Sequence, residues 1–73
     1  MSRDELKKAT CLIIRKNNQY FVGTILYSRD LRWSDSPYDA WQTRDRDKAE
    51  KYALLLGGIV MLFNPVVRQL RVL

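Results

Sequence analysis

The chain predicts an α+β fold with the element order β-β-α-β-β, a mainly antiparallel sheet with one helix packed on one face. Three observations predict it. Two runs rich in β-branched, aliphatic and aromatic residues, 10–16 and 19–27, flank Asn17-Asn18, a pair that tolerates the positive φ of a tight hairpin turn. Ala49, Tyr52, Ala53 and Leu56 recur at i, i+3, i+4 and i+7, one apolar stripe of a helix. Two further apolar segments, 59–63 and 66–73, are separated by the turn signal Asn64-Pro65. With 73 residues there is room for one domain, 1–73, with 1–9 as a flexible or irregular amino-terminal arm.

Each element has a local reason. The first strand, 10–16, carries Cys11, Leu12, Ile13 and Ile14, side chains that suit a pleated and half-buried surface. In the second, alternation sets Tyr20, Val22, Thr24 and Leu26 on one face and Phe21, Gly23, Ile25 and Tyr27 on the other. Residues 28–43 read as a loop in which Pro37 fixes its own φ and discourages helix at Ser36. The helix starts near Asp45, whose carboxylate can accept from the free first-turn amides, with Thr43 as the alternative cap. Asp47 and Lys51 are spaced to pair on its outer side, where Leu54 is an apolar exception covered by the last strand or the arm. Gly57 ends the helix, because glycine enters the left-handed conformation without steric cost. The tip 65–68 has no glycine, which leaves open whether the last strand pairs with its neighbour or elsewhere, including across a dimer.

Every strand is apolar on both faces, whereas a helix of about three turns covers only one face of a sheet. The second face therefore needs the 28–43 loop, a second copy of the chain, or a partner to shield it.

Charge and chemistry narrow the function classes. The net charge of +5 is not gathered in one tract. Arg29, Arg32, Arg44, Arg46 and Lys48 are interleaved with Asp30, Asp35, Asp39, Asp45 and Asp47, and the surplus lies toward the two ends of the chain. One cysteine, Cys11, allows no internal disulfide and suits a reducing compartment. The apolar run 53–63 is broken by Gly57-Gly58 and falls short of the roughly 20 residues a membrane helix needs, so a soluble, cytoplasmic protein is expected. There is no histidine to serve as a base, and no zinc spacing, phosphate loop or dinucleotide fingerprint. Asp35 with Asp39, or Asp45 with Asp47, read as solvated charge and helix capping. The expectation is a protein that is not an enzyme, with no catalytic residues, cofactor, metal or small-molecule substrate.

Contact chemistry is better represented. Residues 33–47 hold Trp33, Tyr38 and Trp41 among arginines, the residue types that dominate interface energetics. The candidate partner-binding residues are Arg29, Arg32, Trp33, Tyr38, Trp41, Arg44 and Arg46, with Trp33 and Trp41 alternatively folded back as satellite core. Aromatics between arginines can also stack bases and neutralise phosphates, which makes a nucleic-acid-binding protein the alternative. The five aspartates among them oppose a polyanion. A homodimer that buries the spare sheet face is a third reading.

The segments Asn17-Asn18-Gln19-Tyr20, Trp33-Ser34-Asp35-Ser36-Pro37-Tyr38-Asp39-Ala40-Trp41-Gln42-Thr43-Arg44-Asp45-Arg46-Asp47-Lys48-Ala49, Gly57-Gly58 and Phe63-Asn64-Pro65-Val66 resemble a class of short uncharacterised proteins of bacteriophages and prophages. The resemblance implies a phage accessory protein in the cytoplasm of a bacterial host, acting by protein-protein interaction. Small proteins of that kind often inhibit a host defence or regulatory protein, as anti-CRISPR proteins do. The resemblance assigns no site residues.

Overall fold

The computed structural model of the chain describes residues 10–24 and 30–73. The arm at 1–9, the strand end at 25–27 and Arg29 lie outside the described residues. The elements are β1 (Cys11–Lys16), β2 (Gln19–Thr24), β3 (Leu31–Ser34), a 3-10 turn (Pro37–Asp39), helix α1 (Arg46–Leu56), β4 (Ile59–Asn64) and β5 (Gln69–Val72). They form a five-stranded antiparallel sheet in the order β3-β2-β1-β4-β5. The fold is thus the α+β arrangement read from the sequence, enlarged by a strand, β3, within the segment read as loop.

Asn17 turns the first hairpin with φ +57°. Arg15 braces that turn: its Nε donates to the Asn17 carbonyl (2.9 Å) and its Nη2 to Asn18 Oδ1 (3.1 Å). Tyr20 and Phe21 fall on opposite faces as the alternation predicts, and the β2–β3 register shifts between Phe21 and Gly23. A bulge there lets a short strand stay paired while the sheet twists. The last strand does pair with β4, despite its glycine-free tip. Arg68 takes the left-handed conformation (φ +55°) in place of a glycine. Asn64 Oδ1 accepts from the amides of Val66 (3.0 Å) and Val67 (3.4 Å), satisfying donors that the turn would otherwise strand.

Helix α1 begins as expected. The Asp45 carboxylate accepts from the Lys48 amide (3.2 Å), and Thr43 Oγ1 accepts from the Asp45 amide (3.1 Å), so both predicted caps act in series. Ala49 and Ala53 are buried, with Tyr52 and Leu56 half-buried beside them. The ion pair on its outer side is Arg46–Glu50 (3.1 Å) rather than the predicted Asp47–Lys51. Both partners are well exposed, so the pair contributes about 0.5 kcal/mol at most.

The sheet carries a core on each face. On the helix side, Leu12, Ile14, Phe21 and Val60 meet Ala49 and Ala53. On the other, Cys11, Ile13, Tyr20, Met61 and Phe63 meet Ala40. The cover of this second face is the aromatic segment itself, the first of the three shields the pattern allowed. Tyr38 stands edge-on to Phe63 (centroids 5.2 Å apart, 89°).

How one segment serves both faces follows from a split hairpin. The ladder between β1 and β2 pairs Arg15 with Tyr20 and Lys16 with Gln19, next to the turn. Farther along, residues 41–43 lie between the two strands. The Trp41 amide donates to the Phe21 carbonyl (2.8 Å), and Thr43 exchanges two bonds with Leu12 (2.8 and 3.1 Å). The chain leaves β3, crosses one face through the 3-10 turn, passes through the sheet at 41–43 and starts α1 on the other face. Leu12 and the Phe21 carbonyl, which the split would leave unpaired, thereby find partners, as buried amides and carbonyls require.

Candidate functional site

The crossing sets the aromatic side chains. Ala40 packs into the core opposite the helix, and the next residue, Trp41, packs toward the helix. There Phe21 stands between two tryptophans, with Trp33 at 5.7 Å and 66° and Trp41 at 6.2 Å and 64°, both edge-to-face. Tyr52 of α1 extends the row, its ring centroid 5.0 Å from that of Trp41. Each such pair adds roughly 0.5–1.5 kcal/mol beyond area burial, so the row is a rigid wall.

Beside the wall runs an open groove of about 390 Å³, lined by Phe21, Gly23, Trp41, Tyr52, Leu55 and Leu56. Leu55 on its rim is 72% exposed, and Leu54 on the helix's outer side is 85% exposed. Nothing among the described residues covers Leu54 as the sequence led one to expect. Three consecutive leucines at the end of an 11-residue helix cannot all face inward at 100° per residue, and Leu56 takes the buried place.

The predicted contact residues do not form one surface. Trp33 and Trp41 are half-buried and share the wall. Tyr38, 53% exposed, lies on the opposite face against Phe63. Arg32 is exposed on the edge strand β3, where alternation turns it away from Trp33. Arg44 and Arg46 are exposed together where the chain enters α1, and Arg46 is engaged with Glu50. Phe21, Tyr52 and Leu55 belong to the site although the sequence did not single them out for it. The leucine run was a usable signal for Leu55. Phe21 and Tyr52 looked like ordinary core positions.

Asp39, Asp45 and Cys11 are each engaged within the fold. Asp39 Oδ2 accepts from Ser34 Oγ (2.9 Å), and Asp45 caps α1. Cys11 is buried and its thiol donates to the Phe63 carbonyl (3.4 Å). Burial pushes the thiol above its ordinary value of 9.0, with the Arg44 guanidinium pulling partly the other way. In the unfolded chain the thiol ionises first, so its contribution to stability is intact below pH 9.0 and falls as the pH rises beyond it. Wild-type protein is therefore expected to lose stability more steeply above pH 9.0 than Cys11→Ala, read from denaturant midpoints across pH. Equal slopes would show that burial does not hold the thiol protonated.

Among the described residues no helix is long and apolar enough to cross a membrane. No protein-family model, curated protein or solved structure matches the chain.

Proposed function

We propose that this chain is a non-enzymatic interaction module that binds a host protein through the groove between β2 and α1. The observation that carries the reading is a wall of interlocked aromatic rings, half-buried at Trp33, Trp41 and Tyr52, with the exposed Leu55 on the rim of the groove. Large aromatics locked by their neighbours and flanked by accessible aliphatics are what interface hot spots are made of, because little side-chain entropy remains to be lost on binding. The resemblance to short phage proteins supports a bacterial host protein as partner, met in the host cytoplasm. It also supports occlusion of a defence or regulatory protein as the mode of action. The described arginines support this over nucleic-acid binding: Arg32 lies on one edge strand, β3, and Arg71 on the other, β5, so these two are not part of one track.

Leu55→Glu tests the reading. The side chain makes little contact in the folded chain, so the melting curve is expected to stay within about 0.5 kcal/mol of wild type, as surface changes usually do. Capture of the host partner from lysate is expected to fall at least about tenfold, the effect of placing a charge in an apolar contact. Undiminished capture by Leu55→Glu, with the fold intact, would reject the groove as the binding site.

A further inference from the structure

Strand β5 closes one side of the sheet, and among the described residues no strand lies beside its outer edge. The register shows which groups it offers. In an antiparallel ladder, opposed residues alternate between pairs that exchange hydrogen bonds and pairs that do not. The Leu73 amide donates to the Val60 carbonyl (3.2 Å), which makes that pair an exchanging one. Two steps along, Leu62 with Arg71 and Asn64 with Gln69 are exchanging pairs too. Leu70 and Val72, opposite Phe63 and Met61, therefore turn their N–H and C=O groups outward.

We propose that this edge accepts an extended, acidic segment of a protein partner as a sixth strand, with a carboxylate opposite Arg71. Three features select that occupant. A nucleic acid cannot complete the row of alternating amide and carbonyl groups, whereas a peptide strand can. A second copy of the chain fits poorly, because the two-fold register that uses both Leu70 and Val72 sets each Arg71 directly against its own copy, and like charges so placed repel. On the helix side, Arg71 adjoins a groove of about 400 Å³ lined in part by Leu62, Leu73, Arg44 and Arg46. The neighbouring acids are engaged locally, Asp45 at the helix amides and Glu50 at Arg46. The other side offers Val72, 63% exposed, and Ile59. The complementary strand alternates aliphatic and acidic residues. This surface is separate from the β2–α1 groove and stands or falls independently of it.

The test uses the purified chain and a labelled, end-blocked peptide carrying Val-Glu-Val-Glu-Val, with Val-Lys-Val-Lys-Val as control, followed by fluorescence anisotropy. The acidic peptide is expected to bind and the basic one not. Arg71→Glu weakens binding at least about tenfold, since like charges then face each other across the new pair. Val72→Pro removes an outward amide without touching the β4 ladder and abolishes binding. Methylating the peptide's ladder amides does the same on the unaltered protein, so the test survives even if the proline disturbs β5. Leu55→Glu leaves peptide binding unchanged. Equal binding of the two peptides, binding that survives backbone methylation, or loss of binding in Leu55→Glu would each overturn the proposal. So would self-association that Val72→Pro abolishes, which would assign the edge to a second copy.

Discussion

Phe63→Ala is expected to leave the chain largely unfolded at 25 °C. The ring is almost fully buried among Cys11, Ile13, Tyr20, Ala40 and Met61 on the face opposite the helix. It is also the surface on which Tyr38 rests, so its loss removes the anchor of the 3-10 turn as well as core volume. Truncating a buried phenylalanine costs about 3–5 kcal/mol, the lost transfer energy plus the cavity left behind. A domain of this size has roughly 4–11 kcal/mol in total, and the low end is the natural place for a core this small. Urea unfolding followed by circular dichroism and tryptophan fluorescence reads the change directly. A midpoint near that of wild type would mean that the aromatic segment is not held by this face, and the account of the split hairpin would fail with it.

Gly58→Ala is expected to cost more than Gly57→Ala, although Gly57 has the unusual backbone. Gly57 takes φ +72°, and the amides of Gly57 and Gly58 donate to the carbonyls of Leu54 (3.4 Å) and Ala53 (2.9 Å), the paired bonds of a Schellman motif. An alanine there meets only the flexible end of Lys16, at 3.8 Å, and costs about 1–2 kcal/mol for the left-handed conformation. At Gly58 a methyl group would stand 2.7 Å from the Arg15 carbonyl oxygen and 3.0 Å from Ile14 Cγ2. Arg15 pairs with Ile59 and Tyr20 in the central strand, so its backbone cannot yield without disturbing two ladders. A penalty of about 3 kcal/mol, the upper end of overpacking effects, is expected from the shift in denaturation midpoint. If Gly57→Ala proves the more damaging, the helix cap rather than the helix–sheet approach limits this corner.

Local signals made much of this molecule legible. The Asn17-Asn18 turn, the capping residues Thr43 and Asp45, the 49–52–53–56 stripe, the Gly57 stop and the Asn64 turn all act through neighbours a few residues away. The structure returns each in place. What was not legible depends on distant pairing. β3 is four residues long and mixes Leu31, Arg32, Trp33 and Ser34, with no alternation long enough to read. It is a strand because β2 supplies its partners. The candidate site divided for the same reason: Tyr38 and Trp41 are neighbours in a loop but face opposite sides of a sheet through which that loop passes.

The sequence by itself thus determined the fold class, the helix and its ends, and the two apolar faces that had to be covered, since periodicity and turn chemistry are short-range properties. The tertiary structure alone decided which segment covers the second face, that residues 41–43 enter the sheet between β1 and β2, and that Phe21, Tyr52 and Leu55 join the tryptophans. These depend on hydrogen bonds and ring contacts between residues 11 to 31 positions apart, from Trp41 with Tyr52 (52 − 41) to Leu12 with Thr43 (43 − 12). Local propensity does not encode such contacts. They form because opening the hairpin leaves backbone groups that must find partners, and the crossing segment supplies them.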